Sequence, residues 1–150
     1  VMIKIMNKIF SNTIALYLLI NFFNMAVCNE NFFDKGLELY KNKNYKEARF
    51  MFERNIVFNP KDSNSYLYLA KIYNQEENQK KEEKNLEASL LIEPNNEEAI
   101  LMLMKLALVK SNYSKVKDLS NTFEKVCKNL CNENKNILKT LSNIEPKNDS

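Results

Sequence analysis

Cys127 and Cys131 stand four residues apart in "VCKNLCNEN", and this pair is where the sequence first suggests chemistry. Two thiols so close can form a disulfide, stay free, or serve as metal or redox ligands. On a regular helix, Cβ atoms four residues apart lie about 5–6 Å from each other, whereas a disulfide needs about 3.5–4.5 Å. A bond therefore requires a distorted or ending helix. Asn129, Asn132 and Asn134 are poor helix formers and make such an end reasonable. Structural zinc takes four ligands, and the chain has no His to supply any. The spacing also differs from the Cys-x-x-Cys of thiol oxidoreductases. The remaining possibilities at this point are a disulfide, two free thiols and a metal or redox role.

The other chemical cluster is "QEENQKKEEK", Gln75 to Lys84, where carboxylates crowd together. Lys80, Lys81 and Lys84 interleave with them, which is the pattern of a solvated helix face. With no His the commonest general base is missing, and no Gly-rich phosphate loop or nucleophile with a paired base stands in its place. No catalytic residue, metal site or cofactor is expected. The formal net charge is +3, and two of the lysines, Lys4 and Lys8, lie in the N-terminal stretch, leaving +1 for the rest. That balance argues against a nucleic-acid binder held by phosphate contacts.

Residues 1–28 contain Lys4 and Lys8, then an apolar centre "IALYLLI" (Ile14 to Ile20), then Ala26-Val27-Cys28. A short basic region, an apolar run and a small-residue end read as a secretory signal cleaved after Cys28. One rival is an uncleaved anchor over residues 9–27, since about 20 uncharged residues can just span a bilayer. Asn12, Asn21 and Asn24 weigh against it. The other rival is lipidation at Cys28, for which Met25 and Val27 are a poor context. Each of the three places residues 29–150 outside the cytoplasm. The Asn-, Lys- and Ile-rich composition suggests an AT-rich genome and a bacterial periplasm.

One Gly and three Pro leave little for hairpin turns, so the body of the chain reads as helices joined by short polar loops. An internal period is visible. Pro60 and Pro94 are 34 residues apart, each after an apolar helical run and before a polar cap. Tyr45 and Tyr113, in "NYKEA" and "NYSKV", are 68 apart, twice that period. Gly36, Tyr45, Ala48, Phe52 and Pro60 carry the spacings of the first unit. On these residues the chain resembles the tetratricopeptide-repeat (TPR) family. The resemblance implies an all-α, short right-handed superhelix of about three helix pairs with a C-terminal capping helix. The expected domain spans 29–145, with repeats at about 29–62, 63–96 and 97–130, a cap at 134–145 and a tail at 146–150. Three departures stand out: Glu82 where the second helix of repeat two usually has a small residue, Met104 at a small first-helix position, and Lys128 in place of a proline. Asn44 with Glu47, Asp62 or Ser63, and Asn95 or Asn96 are the expected helix starts.

In TPR folds the first helix of each pair lines a concave groove. The resemblance puts Phe33, Leu37 and Tyr40 there from repeat one, Leu67, Lys71 and Asn74 from repeat two, and Leu101, Lys105 and Leu108 from repeat three. Leu37, Leu67 and Leu101 could equally pack between helices. The subclass that clamps a C-terminal carboxylate has a Lys and an Asn where this chain has Phe33 and Leu37, so the clamp does not carry over. Lys71 and Lys105 are expected to form a short positive ladder that favours an acidic flank on an apolar or amphipathic segment. The expected function is a non-catalytic protein-binding scaffold in the cell envelope. The alternatives are a membrane-anchored accessory subunit of an envelope complex and, more remotely, a small enzyme.

Overall fold

The computed structural model of the chain describes residues 31–144. The leader at 1–28 and the tail at 146–150 fall outside those residues. Seven α-helices follow one another, and there is no strand among the described residues: α1 (Phe32–Lys41), α2 (Tyr45–Phe58), α3 (Ser63–Gln75), α4 (Gln79–Ile92), α5 (Glu97–Val109), α6 (Tyr113–Val126) and α7 (Cys131–Ile144). No described helix is long and apolar enough to cross a membrane.

The helices pair as α1·α2, α3·α4 and α5·α6, each pair stacks on the next, and α7 closes the array against α5 and α6. Each pair turns in the same way. After α1, the backbone N–H of Lys43 donates to Tyr40 and that of Asn44 to Leu39; after α3, Glu77 donates to Asn74 and Asn78 to Tyr73; after α5, Ser111 donates to Leu108 and Asn112 to Ala107. These crossed bonds satisfy the last carbonyls of the first helix and need a left-handed residue at the turn. Lys43 (φ 59°), Glu77 (φ 55°) and Ser111 (φ 55°) take that conformation, 34 residues apart. An Asn follows each. The side chains of Asn78 and Asn112 accept from the N–H of Lys81 and Lys115, and Asn96 caps α5 by accepting from Ala99. Asn44 has similar backbone geometry, yet its side chain makes no cap bond. Asp62 precedes α3, but its carboxylate accepts from the Asn55 amide (2.7 Å) and the Ser65 hydroxyl (2.7 Å) instead of the backbone.

Three apolar clusters run along the array, each joining neighbouring units. Ala48 and Phe52 of α2 meet Leu69, Ile72 and Tyr73 of α3. Leu67 and Ala70 meet Leu86, Ala99, Leu103 and Leu106. Ile100, Leu101, Met104 and Ala107 meet Val116, Phe123 and the capping residues Ile137 and Leu141. No pair could bury its apolar face alone, so stacking supplies the core. Two buried positions trade volume along the array: Gly36 with Phe52, Ala70 with Leu86, Met104 with Ser120. The large side chain moves from the second helix of the pair to the first. Met104 therefore stands where a small residue is usual because Ser120 leaves the space.

The cap begins at Cys131, three residues before the expected Asn134, and Asn134 itself is buried within the helix. Cys127 ends α6 in an extended conformation, and it is joined to Cys131 by a disulfide with Cα atoms 5.4 Å apart. That separation lies within the range a disulfide spans, and the helix break between the cysteines releases them from the four-residue spacing of a regular helix. The carboxylate of Glu97, at the start of α5, accepts the backbone N–H groups of Lys128 (2.9 Å), Asn129 (3.1 Å) and Leu130 (2.8 Å). These bonds hold the Glu97 carboxyl below the usual carboxylate range, Leu130 contributing most. The disulfide loop thus ties the start of α7 to the start of α5.

Candidate protein-binding groove

Helices α1, α3 and α5 carry the nine expected groove positions, and their environments differ sharply along the array. Phe33 packs on Phe52 and Tyr68, with ring centres 5.7 and 5.9 Å apart. Tyr40 packs on Tyr45 (5.4 Å) and Tyr68 (5.1 Å). Burial, then the neighbouring Tyr45, Tyr68 and Glu98, push the Tyr40 hydroxyl above its ordinary pKa. The N-terminal part of the face is therefore filled by a mutually packed aromatic cluster, and Leu37 of the same helix is half-buried.

Leu67 and Leu101 are each 4% exposed and belong to the interhelical clusters. They offer no contact surface in this structure. Their position puts them on the side of the helix that meets the next pair, which periodicity alone does not separate from the open side. The two lysines do not act as an unengaged positive ladder. Lys71 is 16% exposed, lies over the Tyr68 ring (4.4 Å to its centre) and pairs with Glu98 at 2.8 Å. Lys105 is 60% exposed and sits 3.8 Å from Glu133 of α7. A carboxylate one unit along accompanies each cation, so an acidic flank gains little from them.

The open part of the face lies around α5. A depression of about 480 Å³ has Asn74, Gln79 and Glu82 on one wall and Met102, Lys105 and Val109 on the other. A second, of about 370 Å³, has Lys105, Leu108 and Val109 facing Glu133, Asn136 and Ile137 of the cap. Lys105 and Val109 line both. Of the nine expected positions, the depressions gather Asn74, Lys105 and Leu108. Met102, Val109 and the capping residues were not among the expected positions. Val109 lies one residue beyond Leu108, and Met102 one beyond Leu101, so consecutive residues of α5 divide between core and groove.

Glu82 is the most unusual group here. It occupies the position held by Ala48 in the first pair and Val116 in the third, and it is 3% exposed. The Asn74 amide donates to its Oε1 at 3.0 Å. Burial raises its carboxyl above the usual range, and the Asn74 bond and Lys110 pull the other way. The neighbouring Glu83 is held by Lys110 and by Lys115 (2.6 Å), which lower its carboxyl. The only sequence sign of Glu82's setting is its departure from the repeat pattern.

No protein-family model matches the chain, and no curated protein matches it in sequence. Solved structures do match it in three dimensions. The type III secretion chaperone SycD of Yersinia enterocolitica, in complex with a peptide of the translocator YopD, superposes with a TM-score of 0.70 at 12% identity, over 78% of this chain and 94% of that one. The first TPR domain of Spaghetti (RPAP3), bound to the HSP90 peptide SRMEEVD, gives 0.64 at 15% identity, over 74% and 90%. The Sgt2 TPR domain from Aspergillus fumigatus gives 0.64 at 13%, over 81% and 86%. Together with the 34-residue turns and stacked pairs, these likenesses establish that the chain is a helical-repeat protein of the tetratricopeptide-repeat fold.

Proposed function

We propose that the chain is a non-catalytic scaffold that holds a segment of another protein in the groove centred on α5. The observation that carries this reading is the pair of depressions meeting at Lys105 and Val109, where the array leaves both apolar and polar side chains open. Two of the similar structures were solved with peptides bound, which supports a peptide-sized partner. An extended segment laid along the groove would place alternate side chains toward the two depressions.

The reading is tested by selecting peptides from a random displayed library on the full chain, then measuring their affinity for variants. Leu108→Ala and Val109→Ala should each weaken binding at least about tenfold, while Leu91→Ala, on the exposed outer face of α4, should leave it unchanged. Loss of binding in the α4 variant alone would overturn the assignment of the face.

The proposed location is the cell envelope. It is supported by the basic-then-apolar leader and by the disulfide, which persists in oxidising compartments. Fractionation with thiol alkylation tests it. A soluble exported species beginning at Asn29 without alkylatable thiols supports a free scaffold, and a membrane-bound uncleaved chain supports the anchored accessory subunit. A cytosolic chain with free Cys127 and Cys131 would overturn export.

A further inference from the structure

We propose that the depression between α3, α4 and α5 is a subsite for a basic side chain, lysine or arginine, of the segment in the groove. The inference rests on the groove reading above and specifies the chemistry of its occupant.

Three features converge on it. Glu82 lines the depression as a buried carboxylate, and among the described residues its hydrogen-bond donor is Asn74. An ionised carboxylate accepts about four hydrogen bonds, so most of its capacity is unused. No ion pair among the described residues reaches it, because the nearby cations are committed elsewhere: Lys110 to Glu83, Lys115 to Glu83 and Glu87, Lys105 to Glu133. Burying a carboxylate without a cation is unfavourable, and a cation entering the depression relieves that penalty. The wall opposite carries the apolar Met102, Leu106 and Val109 beside Lys105, whose ammonium lies toward Glu133 at 3.8 Å. Apolar surface above a buried carboxylate suits a side chain with an aliphatic stem and a charged head. Glu77 at the rim adds a second carboxylate, which disfavours an acidic occupant. A metal ion is a poor alternative, since no group of three metal-ligating carboxylates or thiols exists among the described residues.

The groups that face Glu82 electrostatically are Asn74 on α3, Glu83 on its own helix, Lys110 just after α5, and Glu77 and Lys105 on the lining. Burial raises the Glu82 carboxyl, so occupancy by a cation should favour its ionised form and affinity should weaken as the pH falls through its pKa.

The probes are single-residue amides: Nα-acetyl-lysine methylamide, its arginine counterpart, and its norleucine counterpart, which has the stem without the charge. Each is titrated into the isotope-labelled full chain and followed by amide chemical shifts. The lysine or arginine amide should shift resonances at Asn74, Glu82 and Met102. It should bind at least about tenfold more tightly than the norleucine amide, as a charge-assisted hydrogen bond would give. Glu82→Gln should abolish that preference. Glu82→Ala restores the residue type of Ala48 and is the second variant should the glutamine prove poorly folded. Equal binding of the norleucine amide, a preference that survives in a folded Glu82 variant, or shifts confined to other surfaces would overturn the subsite. The groove reading falls separately, if no selected peptide binds there at all, because the single-residue amides do not depend on a longer segment.

Discussion

Gly36 marks a tight approach of α1 to α2. A Cβ built at this position meets the Phe52 ring at 2.8, 3.0 and 3.1 Å, and that ring is fully buried and stacked on Tyr68 (5.2 Å between centres). Glycine is here for space, not for backbone freedom. Gly36→Ala should cost about 1–3 kcal/mol from overpacking, offset by up to about 1 kcal/mol of helix propensity. Adding Phe52→Leu should make the pair more stable than the sum of the two single changes, measured by denaturant unfolding as a double-mutant cycle. Additivity would show that the two side chains do not share the space. Gly36 and Phe52 both carried the repeat spacing, but that they touch is shown only by the structure. Glu82 was legible only as a misfit. Nothing in its spacing said that a carboxylate would be buried beside an open depression, since the depression is made by α5, from the next repeat.

At the scale of the element, the turns inside the pairs are the most regular feature. Lys43, Glu77 and Ser111 adopt left-handed backbone although none is Gly, which costs about 1–2 kcal/mol for such a residue. Ser111→Gly and Lys43→Gly should therefore each stabilise the protein, by about 0.5–1 kcal/mol after glycine's greater entropy loss. No gain in denaturation midpoint would mean the turns relax in solution. The period of 34 was visible in the prolines and tyrosines, but these turns lack glycine and so carry no obvious turn signal.

The loop between α6 and α7 was half legible. The cysteine spacing implied a helix end, while Glu97 belongs to a distant element and gave no local sign. Its carboxyl pKa is lowered in the folded chain, so its stabilising contribution is present above the unfolded value and is lost as the pH falls through the folded one. Glu97→Gln should accordingly be less stable than the parent at neutral pH, and the two should converge on acidification. A pH-independent gap would assign the loss to packing instead.

For the whole molecule, the stacking order decides where function can sit. The aromatic cluster closes the N-terminal part of the face, the clusters between pairs absorb Leu67 and Leu101, and the cap covers Ile100 and Met104 only as far as Ile137 and Leu141. What stays open on α5 is Met102, Lys105, Leu108 and Val109, shared between two depressions. The repeat pattern put the expected positions on α1, α3 and α5, but it could not show which turn of each helix the neighbours would bury. That depends on side-chain size at positions such as Tyr68 and Met104, which differ from repeat to repeat. The most direct measurement is an amide chemical-shift map of the full chain with a library-selected peptide. The account predicts perturbations centred on Asn74, Met102, Lys105, Leu108 and Val109. Perturbations centred instead on the outer faces of α2, α4 and α6, around Phe50 and Leu91, would contradict it.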